Sequence, residues 1–129
     1  MEKAIYKPIV TGNLIDNQGC AIDLGKTIAA YIEGLPSRSR LALKVKDFVD
    51  KLLQSAGHLI VLRNPGVLLE EELKLDVARL LTDHARNNTL ILEWKGYIDN
   101  NTLYFLTHHH GKKIDLSAIG FEYKQTYEV

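Results

Sequence analysis

The tripeptide Gly25-Lys26-Thr27 is the part of the sequence best suited to phosphate chemistry. In a phosphate-binding loop, glycines let backbone N–H groups wrap the phosphates, the lysine reaches the outer phosphates and the threonine hydroxyl binds magnesium. The motif also needs an earlier glycine with four residues between it and Gly25. That position is Cys20, and Gly19 lies one residue too early. We therefore predict the first turn of a helix with an exposed lysine here; a small nucleotide-dependent enzyme that uses Lys26 and Thr27 is the alternative.

The end of a buried strand is a second place where nucleotide chemistry could lie, because acids there hold magnesium in hydrolases with parallel sheets. The apolar run 58–62 ends instead in Arg63-Asn64, and the next acids are residues 70–72. We therefore expect no unassisted ATP hydrolysis. Ligands of open α/β sheets bind at the carboxyl ends of the strands. The candidates for holding a nucleotide or another anion are Arg63, Asn64, Trp94 and Lys95, with Arg86 further out.

Three consecutive histidines, residues 108–110, could bind zinc, nickel or copper. Neighbouring residues of a strand face opposite ways, so only His108 and His110 could converge. No Cys or Glu stands at ligand spacing beside them, although His58 or His84 could approach in space. Cys20 lies next to apolar residues and in no recognisable cysteine-enzyme signature, which favours a small buried side chain over a nucleophile. We predict no metal centre, no catalytic residue and no required cofactor.

Basic residues are concentrated in one part of the chain. Residues 26–51 contain six Lys or Arg and three acids, whereas residues 64–83 contain five acids and two bases. A basic patch could contact nucleic-acid phosphates, although such a run is also typical of the solvated face of an amphipathic helix. The candidates for nucleic-acid contact are Arg38, Arg40, Lys44, Lys46 and Lys51.

Composition limits the class of protein. The chain has 129 residues, of which 46% are hydrophobic and 25% charged, which fits one compact domain over residues 1–129. Sixteen basic residues balance sixteen acidic ones, so no overall positive field favours nucleic acid. The single cysteine excludes an internal disulfide, and no apolar run approaches the roughly 18 residues of a membrane span. We expect a cytoplasmic protein with no membrane contact.

The positions of apolar residues predict the order of elements. Residues 5–11 could form a strand, which Pro8 would confine to an edge, followed by a turn over residues 12–19. Asp23 is a good N-cap for a helix over residues 24–32 that stops at Gly34. Ser37 could cap a second, amphipathic helix through Leu52. A third helix is predicted over residues 70–84, with residues 70–72 at its positive end.

Two nearly continuous apolar runs, residues 58–62 and 89–94, are typical of strands buried on both faces. Their separation leaves room for the helical crossover that joins parallel strands. A further strand over residues 102–107 and an alternating segment over residues 121–129 suggest an antiparallel edge hairpin. The predicted fold class is three-layer α/β, with a small, mainly parallel sheet of the P-loop NTPase or Rossmann-like type.

Aromatic residues are frequent toward the terminal segments, where paired edge strands would place them across from each other. They could belong to the core. They could instead mark an exposed edge strand that a partner protein covers, because an unpaired apolar edge associates with other chains. The residues are Tyr6, Tyr97, Tyr104, Phe105, Tyr123 and Tyr127.

Several segments between Asp23 and His110 resemble the BrxF family, small P-loop-type proteins of type 3 bacteriophage-exclusion systems. The most specific segment is Arg86-Asn87-Asn88-Thr89, a strand, and then Trp94-Lys95-Gly96, which is similar to the family's third strand and following turn. The other matching segments are Asp23-Leu24, 35–40, 58–62, Leu68-Leu69, 73–76, Leu80-Leu81, 103–104 and 108–110. The resemblance covers about two-thirds of the chain.

This resemblance implies a P-loop NTPase core that serves an intracellular antiphage system. The family would place a phosphate loop before the segment that matches Asp23-Leu24. Here that stretch has Gly12 and Gly19 but no Gly-Lys-Thr, and Arg63-Asn64 stands where an acid is expected. The implied protein is a nucleotide-binding fold that has lost hydrolysis and acts as a non-catalytic accessory or interaction subunit.

Overall fold

A computed structural model of the chain describes residues 7–86, 88–104 and 113–129. In this part of the chain the helices are α1 (Leu24–Glu33), α2 (Leu41–Ser55) and α3 (Val77–Ala85). One set of strands comprises β1 (Ile9–Ile15), β2 (Ile22–Asp23), β3 (Leu59–Arg63), β4 (Thr89–Glu93) and β8 (Glu122–Glu128). A second set comprises β5 (Tyr97–Asp99), β6 (Thr102–Tyr104) and β7 (Lys113–Asp115). The first set forms a parallel sheet in the order β2-β3-β4-β1-β8, and the second forms a small antiparallel sheet.

The predicted α/β class with a mainly parallel sheet is confirmed. The two buried runs of the sequence form β3 and β4, which pair directly with Ile60 beside Leu90 and Leu62 beside Leu92. The helix predicted after Asp23 is α1, and the Asp23 carboxylate accepts a hydrogen bond from the Lys26 amide at 3.1 Å.

The first strand is central, and its predicted position at the edge of the sheet is wrong. It lies between β4 and β8 and continues through Ile15, so the predicted turn over residues 12–19 begins only after that residue. Pro8 precedes the strand and does not interrupt its ladder. Its carbonyl accepts a hydrogen bond from the Glu122 amide at 3.0 Å, a role that needs no N–H on the proline.

Strand β1 also changes face along its length. Residues four apart on a regular strand share a face of the sheet. Val10, however, belongs to the main core, whereas Leu14 belongs to a cluster on the opposite face. The alternation therefore shifts by one residue between Thr11 and Leu14, next to Gly12. This shift turns the backbone groups of Leu14 toward the side of the sheet on which β4 lies.

Two helix starts differ from prediction. Arg40, with a φ of 55°, is the N-cap of α2 and makes no side-chain cap bond, while the Ser37 hydroxyl accepts from the Ser39 amide instead. The third helix begins at Val77, with Asp76 as its cap, and not at residue 70. Two 3₁₀ segments, Pro65–Leu69 and Glu71–Leu73, occupy the earlier stretch, and a positive φ at Lys74 prevents a continuous helix.

An antiparallel sheet is present and includes residues 102–104 of the predicted hairpin, but its predicted partner, the C-terminal strand, is not part of that sheet; residues 105–107 lie outside the described ranges. It runs parallel to β1, from Ile9 beside Glu122 to Ile15 beside Glu128. The antiparallel pairing involves β5, β6 and β7, where Tyr97 lies opposite Tyr104. The C-terminal strand can join the main sheet in parallel because the segment with the small sheet lies between β4 and β8 and provides their crossover.

The main hydrophobic core joins one face of the parallel sheet to α1, α2, α3 and the small sheet. It includes Leu62 and Leu92 from the sheet, Ile28 and Leu53 from helices, and Leu103 from β6, each 1% exposed or less.

On the opposite face, Val61 and Ile91 form a smaller cluster with Leu14, against which Cys20 and Tyr127 pack. Strands β3 and β4 thus have buried residues on both faces, as their sequences predicted. This burial fixes the two strands, and with them the positions of the residues at their carboxyl ends.

Candidate functional site

The carboxyl edge between β4 and β1 is the place where this topology favours a ligand. The chain leaves β1 toward β2 and leaves β4 toward β8, in opposite directions along the sheet. In open α/β sheets, ligands bind in the crevice at such a reversal, just beyond the carboxyl ends of the strands. The residues of interest are therefore those at the ends of β1, β3 and β4.

Glu93, the last residue of β4, is the centre of a charge network at this edge. Its side chain is only 8% exposed. Its carboxylate accepts a hydrogen bond from the Leu14 amide at 2.9 Å and lies 3.5 Å from Arg63 Nη1 and 3.5 Å from Lys95 Nζ. Two cations and one backbone donor surround the carboxylate, which offsets the cost of burying its charge.

The two cations have a second set of partners on β1. Arg63 Nη2 donates to the Leu14 carbonyl at 3.1 Å, and Lys95 Nζ donates to the Gly12 carbonyl at 2.8 Å. Side chains thereby supply the hydrogen bonds that β1 needs beyond the end of β4. An anion that binds here must compete with Glu93 for both cations.

Asp23 and Asn64 form a second polar cluster, at the first turn of α1. Asn64 Nδ2 donates to Asp23 Oδ1 at 3.0 Å, and the same oxygen accepts the Lys26 amide at 3.1 Å. The hydrogen bond from Asn64 lowers the pKa of Asp23, burial raises it, and the Lys26 amide lowers it further; the net effect is a lowered pKa. The Thr27 hydroxyl donates to the Asp23 carbonyl at 2.8 Å. A phosphate loop would offer a backbone amide and a threonine hydroxyl of this kind to a nucleotide. Here the Lys26 amide and the Thr27 hydroxyl both donate to Asp23 instead.

A cleft of about 230 Å³ lies beside the charge network. Trp94 is 4% exposed, and its indole N–H donates to the Tyr104 carbonyl at 3.2 Å, which fixes the ring between the two sheets. The cleft can accept a small, largely apolar group next to the Lys95 ammonium. Its lining residues are Asn64, Pro65, Gly66, Glu93, Trp94, Lys95 and Gly96.

The structure brings together four of the five residues nominated from the sequence. Arg63, Asn64, Trp94 and Lys95 all lie at the carboxyl ends of β3 and β4. Arg86 lies at the opposite end of the sheet, because it is the C-cap of α3 and precedes the first residue of β4.

Glu93 is not among the residues predicted from the sequence, because an acid was expected only at the end of the first buried run. The available signal was an acid near the end of the second buried run, residues 89–94. Its partners on β1 had no signal of their own, since Gly12 and Leu14 contribute backbone groups to the network.

The nucleic-acid candidates surround the start of α2 and follow its outer side. Lys46 Nζ lies 2.9 Å from Asp50, and Arg38 Nη1 lies 3.3 Å from Glu72. Lys44 Nζ donates to the Ser37 carbonyl at 3.1 Å. Several of these cations thus have partners within the protein. The remaining two candidates, Arg40 at the N-cap and Lys51 within the helix, are exposed.

Metal chemistry has no support in the part of the chain that the structure describes, where no group of three or more His, Cys, Asp or Glu could hold an ion. The triple histidine, residues 108–110, lies outside the described ranges, as do Tyr6 and Phe105. Cys20 is half-buried, with Sγ 3.8 Å from Asp16 Oδ1. Within residues 7–86, 88–104 and 113–129, none of the helices has the length and apolar character needed to cross a membrane.

The fold and this edge define the class of protein, a parallel α/β sheet flanked by helices with a polar network at its carboxyl edge. In comparisons with known proteins, no family model, no curated protein and no solved structure matches the chain. A proposal about function therefore rests on the geometry of the site.

Proposed function

We propose that this protein is a non-catalytic interaction subunit built on a P-loop- or Rossmann-like α/β fold, and that it acts by binding another protein chain. The observation that carries this proposal is the internal pairing of the carboxyl edge. Glu93 lies between Arg63 and Lys95, and Asp23 binds both Asn64 and the first-turn amide of α1. A nucleotide phosphate would meet two carboxylates and cations that are already paired.

The exposed C-terminal strand supports the second half of the proposal. Six of the seven residues of β8 are exposed, including Tyr123, which is 52% exposed. Strand β8 is terminal in the sheet, and within the described ranges no strand pairs with its outer edge. A strand with an unpaired row of N–H and C=O groups can accept an extended strand from a partner, with backbone hydrogen bonds supplying affinity.

The cellular setting of the proposal is an antiphage defence system. Its support is the resemblance of residues 23–110 to the BrxF family, above all at Arg86-Asn87-Asn88-Thr89 and Trp94-Lys95-Gly96. In that setting the protein would keep the fold of a nucleotide-binding relative and serve as an accessory subunit. Purification of complexes from a host that carries the complete defence system would test this assignment, since the expected partners are other components of that system.

Nucleotide binding is the most direct test of the non-catalytic role. A ligand that binds the folded state raises thermal stability as its concentration exceeds Kd. We expect ATP and ADP, with magnesium, to leave the Tm of the protein unchanged. A dose-dependent rise in Tm that disappears in Lys26→Ala would overturn the proposal and favour a nucleotide enzyme. The matched control is Lys51→Ala, which removes an exposed lysine near the end of α2.

A nucleotide-binding protein is the second candidate, and the cleft beside Trp94 favours it. The cleft opens beyond the carboxyl ends of parallel strands, where open α/β sheets bind their ligands, and it is lined by Asn64 and Lys95. Lys26 is exposed in the first turn of α1, and that turn is linked to Asn64 through Asp23. In this case Trp94→Ala, as well as Lys26→Ala, should abolish a nucleotide-dependent rise in Tm.

A further inference from the structure

The residues of β8 whose backbone groups face the outer edge of the sheet do not follow one regular alternation along the strand. Successive residues of a strand point their N–H and C=O groups toward opposite edges. The Glu122 amide donates to the Pro8 carbonyl at 3.0 Å, so Glu122 faces β1 and Tyr123 faces outward. At the other end, the Val129 amide donates to the Ile15 carbonyl at 2.9 Å, so Val129 faces β1 and Glu128 faces outward. The alternation of β8 therefore shifts by one residue, as it does in β1 beside it.

This shift limits how two copies of β8 could pair. Identical strands related by a two-fold axis pair antiparallel, and the outward groups of one must face the outward groups of the other. An axis at Glu128 satisfies the backbone but sets Glu128 against itself, which is unfavourable. An axis between Gln125 and Thr126 sets Lys124 against Tyr127 and forms no opposite-charge pair.

An axis at Tyr123 pairs the amino-terminal end of β8, Glu122 to Lys124, with the same residues of the second copy. The outward groups of Tyr123 then meet those of the second Tyr123. Glu122 of each copy lies opposite Lys124 of the other, so two opposite-charge pairs flank the axis. These are non-hydrogen-bonded positions, where side chains of antiparallel strands are closest. Opposite-charge pairs of this kind stabilise neighbouring strands.

We propose that the partner of the β8 edge is a second copy of this chain, paired antiparallel about Tyr123 to join the two parallel sheets. This proposal rests on the proposed function, since it names the occupant of the same edge. Tyr123 supplies backbone hydrogen bonds at the axis, and Glu122 and Lys124 set the register. In this pairing Tyr123, which is 52% exposed in the single chain, lies at the interface.

Charge reversal in the full chain tests the pairing. We expect the wild-type protein to show a monomer–dimer equilibrium in sedimentation, with more dimer at higher concentration. Lys124→Glu places glutamates opposite each other at two positions, and Glu122→Lys does the same with lysines, so each variant alone should be monomeric. An equimolar mixture of the two should form a heterodimer, because both pairs across the axis are then complementary.

Glu128→Lys is the matched control, because it reverses a charge on the same strand outside the proposed pairs. It should remain dimeric, and circular dichroism of each variant establishes that it is folded. A dimer that persists in both Lys124→Glu and Glu122→Lys would place the contact elsewhere and would overturn the inference.

Amide hydrogen exchange distinguishes failure of this inference from failure of the proposed function. A wild type that stays monomeric, with fast exchange at the Tyr123 amide, would overturn self-pairing and leave the edge open to another protein. A monomeric wild type with a protected Tyr123 amide would overturn both proposals, since the edge would then be closed within the chain itself.

Discussion

Strands β4 and β8 are both parallel neighbours of β1, yet they differ sharply in environment. Val10 of β1 pairs with Leu92 on one side and with Tyr123 on the other. Leu92 is 0% exposed and Tyr123 is 52% exposed. From Leu90 to Glu93 every residue of β4 is buried, whereas β8 has one half-buried residue and six exposed ones. The same central strand thus separates the core of the protein from a surface strand.

The difference shows where this protein uses its polar groups. The charge at the end of β4 is buried and paired within the protein, between Arg63 and Lys95. The charges of β8 are exposed along an edge whose outer backbone groups have no strand beside them in the described part of the chain. We therefore expect substitutions on the β4 side to change the free energy of unfolding and substitutions on the β8 side to change association.

The largest expected effect comes from the two residues that pair with Val10. Leu92→Ala removes a fully buried side chain and leaves a cavity, and should lower the free energy of unfolding by about 3 kcal/mol. Tyr123→Ala truncates a side chain that is already half in water, and should lower it by less than about 1 kcal/mol. Urea unfolding at a protein concentration low enough to prevent association measures the two values. Equal losses would show that β8 belongs to the core as β4 does.

A smaller loss is expected at Glu93. Glu93→Gln keeps an acceptor for the Leu14 amide but removes the negative charge between Arg63 and Lys95, and should lower the free energy of unfolding by about 2 kcal/mol. The matched control is Glu122→Gln, an exposed acid on β8 whose loss should have little effect in dilute protein. Chemical denaturation at neutral pH compares the two. If both variants were as stable as the wild type, the network would not hold the edge together.

The smallest effect concerns the polar cluster at α1. Asn64→Gly removes the hydrogen bond that is the main cause of the lowered pKa of Asp23, while glycine tolerates the φ of 55° at this position. The pKa of Asp23 should rise toward its ordinary value of 3.8. Because the pKa of Asp23 is lower in the folded protein than in the unfolded chain, its ionised form stabilises the fold at pH values above the unfolded-state pKa. This stabilisation is lost as pH falls through the folded-state pKa. The stability difference between variant and wild type should therefore shrink as pH falls below about 4.

An NMR titration of the Asp23 carboxyl group measures this pKa directly. Asn100→Gly is the control, because Asn100 also has a positive φ, of 49°, but lies in the turn between β5 and β6. It should have a similar effect on backbone freedom and leave the pKa of Asp23 unchanged. An unchanged pKa in Asn64→Gly as well would contradict the role assigned to the amide.

The sequence predicted those helices and strands that depend on a few neighbouring residues, such as a capping residue or a continuous apolar run. Asp23 identified the start of α1 because a carboxylate next to an apolar periodic run is a strong cap signal. Residues 58–62 and 89–94 predicted paired parallel strands because continuous apolar runs suit strands covered on both faces. The predicted start of α3 is too early, because residues 70–72 have high helix propensity and the positive φ at Lys74 has no clear signal in the sequence.

The candidate site was partly predictable for the same reason. Arg63, Asn64, Trp94 and Lys95 lie at the ends of two predicted parallel strands, and the carboxyl ends of such strands must share an edge. Arg86 was misplaced because the end of α3 returns the chain to the amino ends of the strands.

The contacts of this site with β1 could not be predicted. They join residues 49 to 83 positions apart in the chain, and they depend on the shift in β1 that turns Leu14 toward Glu93 and Arg63. A regular alternation would have placed Leu14 on the same face of the sheet as Val10, in the main core.

The sequence by itself determined the α/β class, the pairing of β3 with β4, and the group of residues at their carboxyl ends, because each follows from local periodicity and strand direction. Only the tertiary structure decided that β1 is central, that β8 is parallel and exposed, and that Glu93 lies between two cations. Those facts depend on strand order and register, which long-range packing sets and which no local segment of the chain encodes.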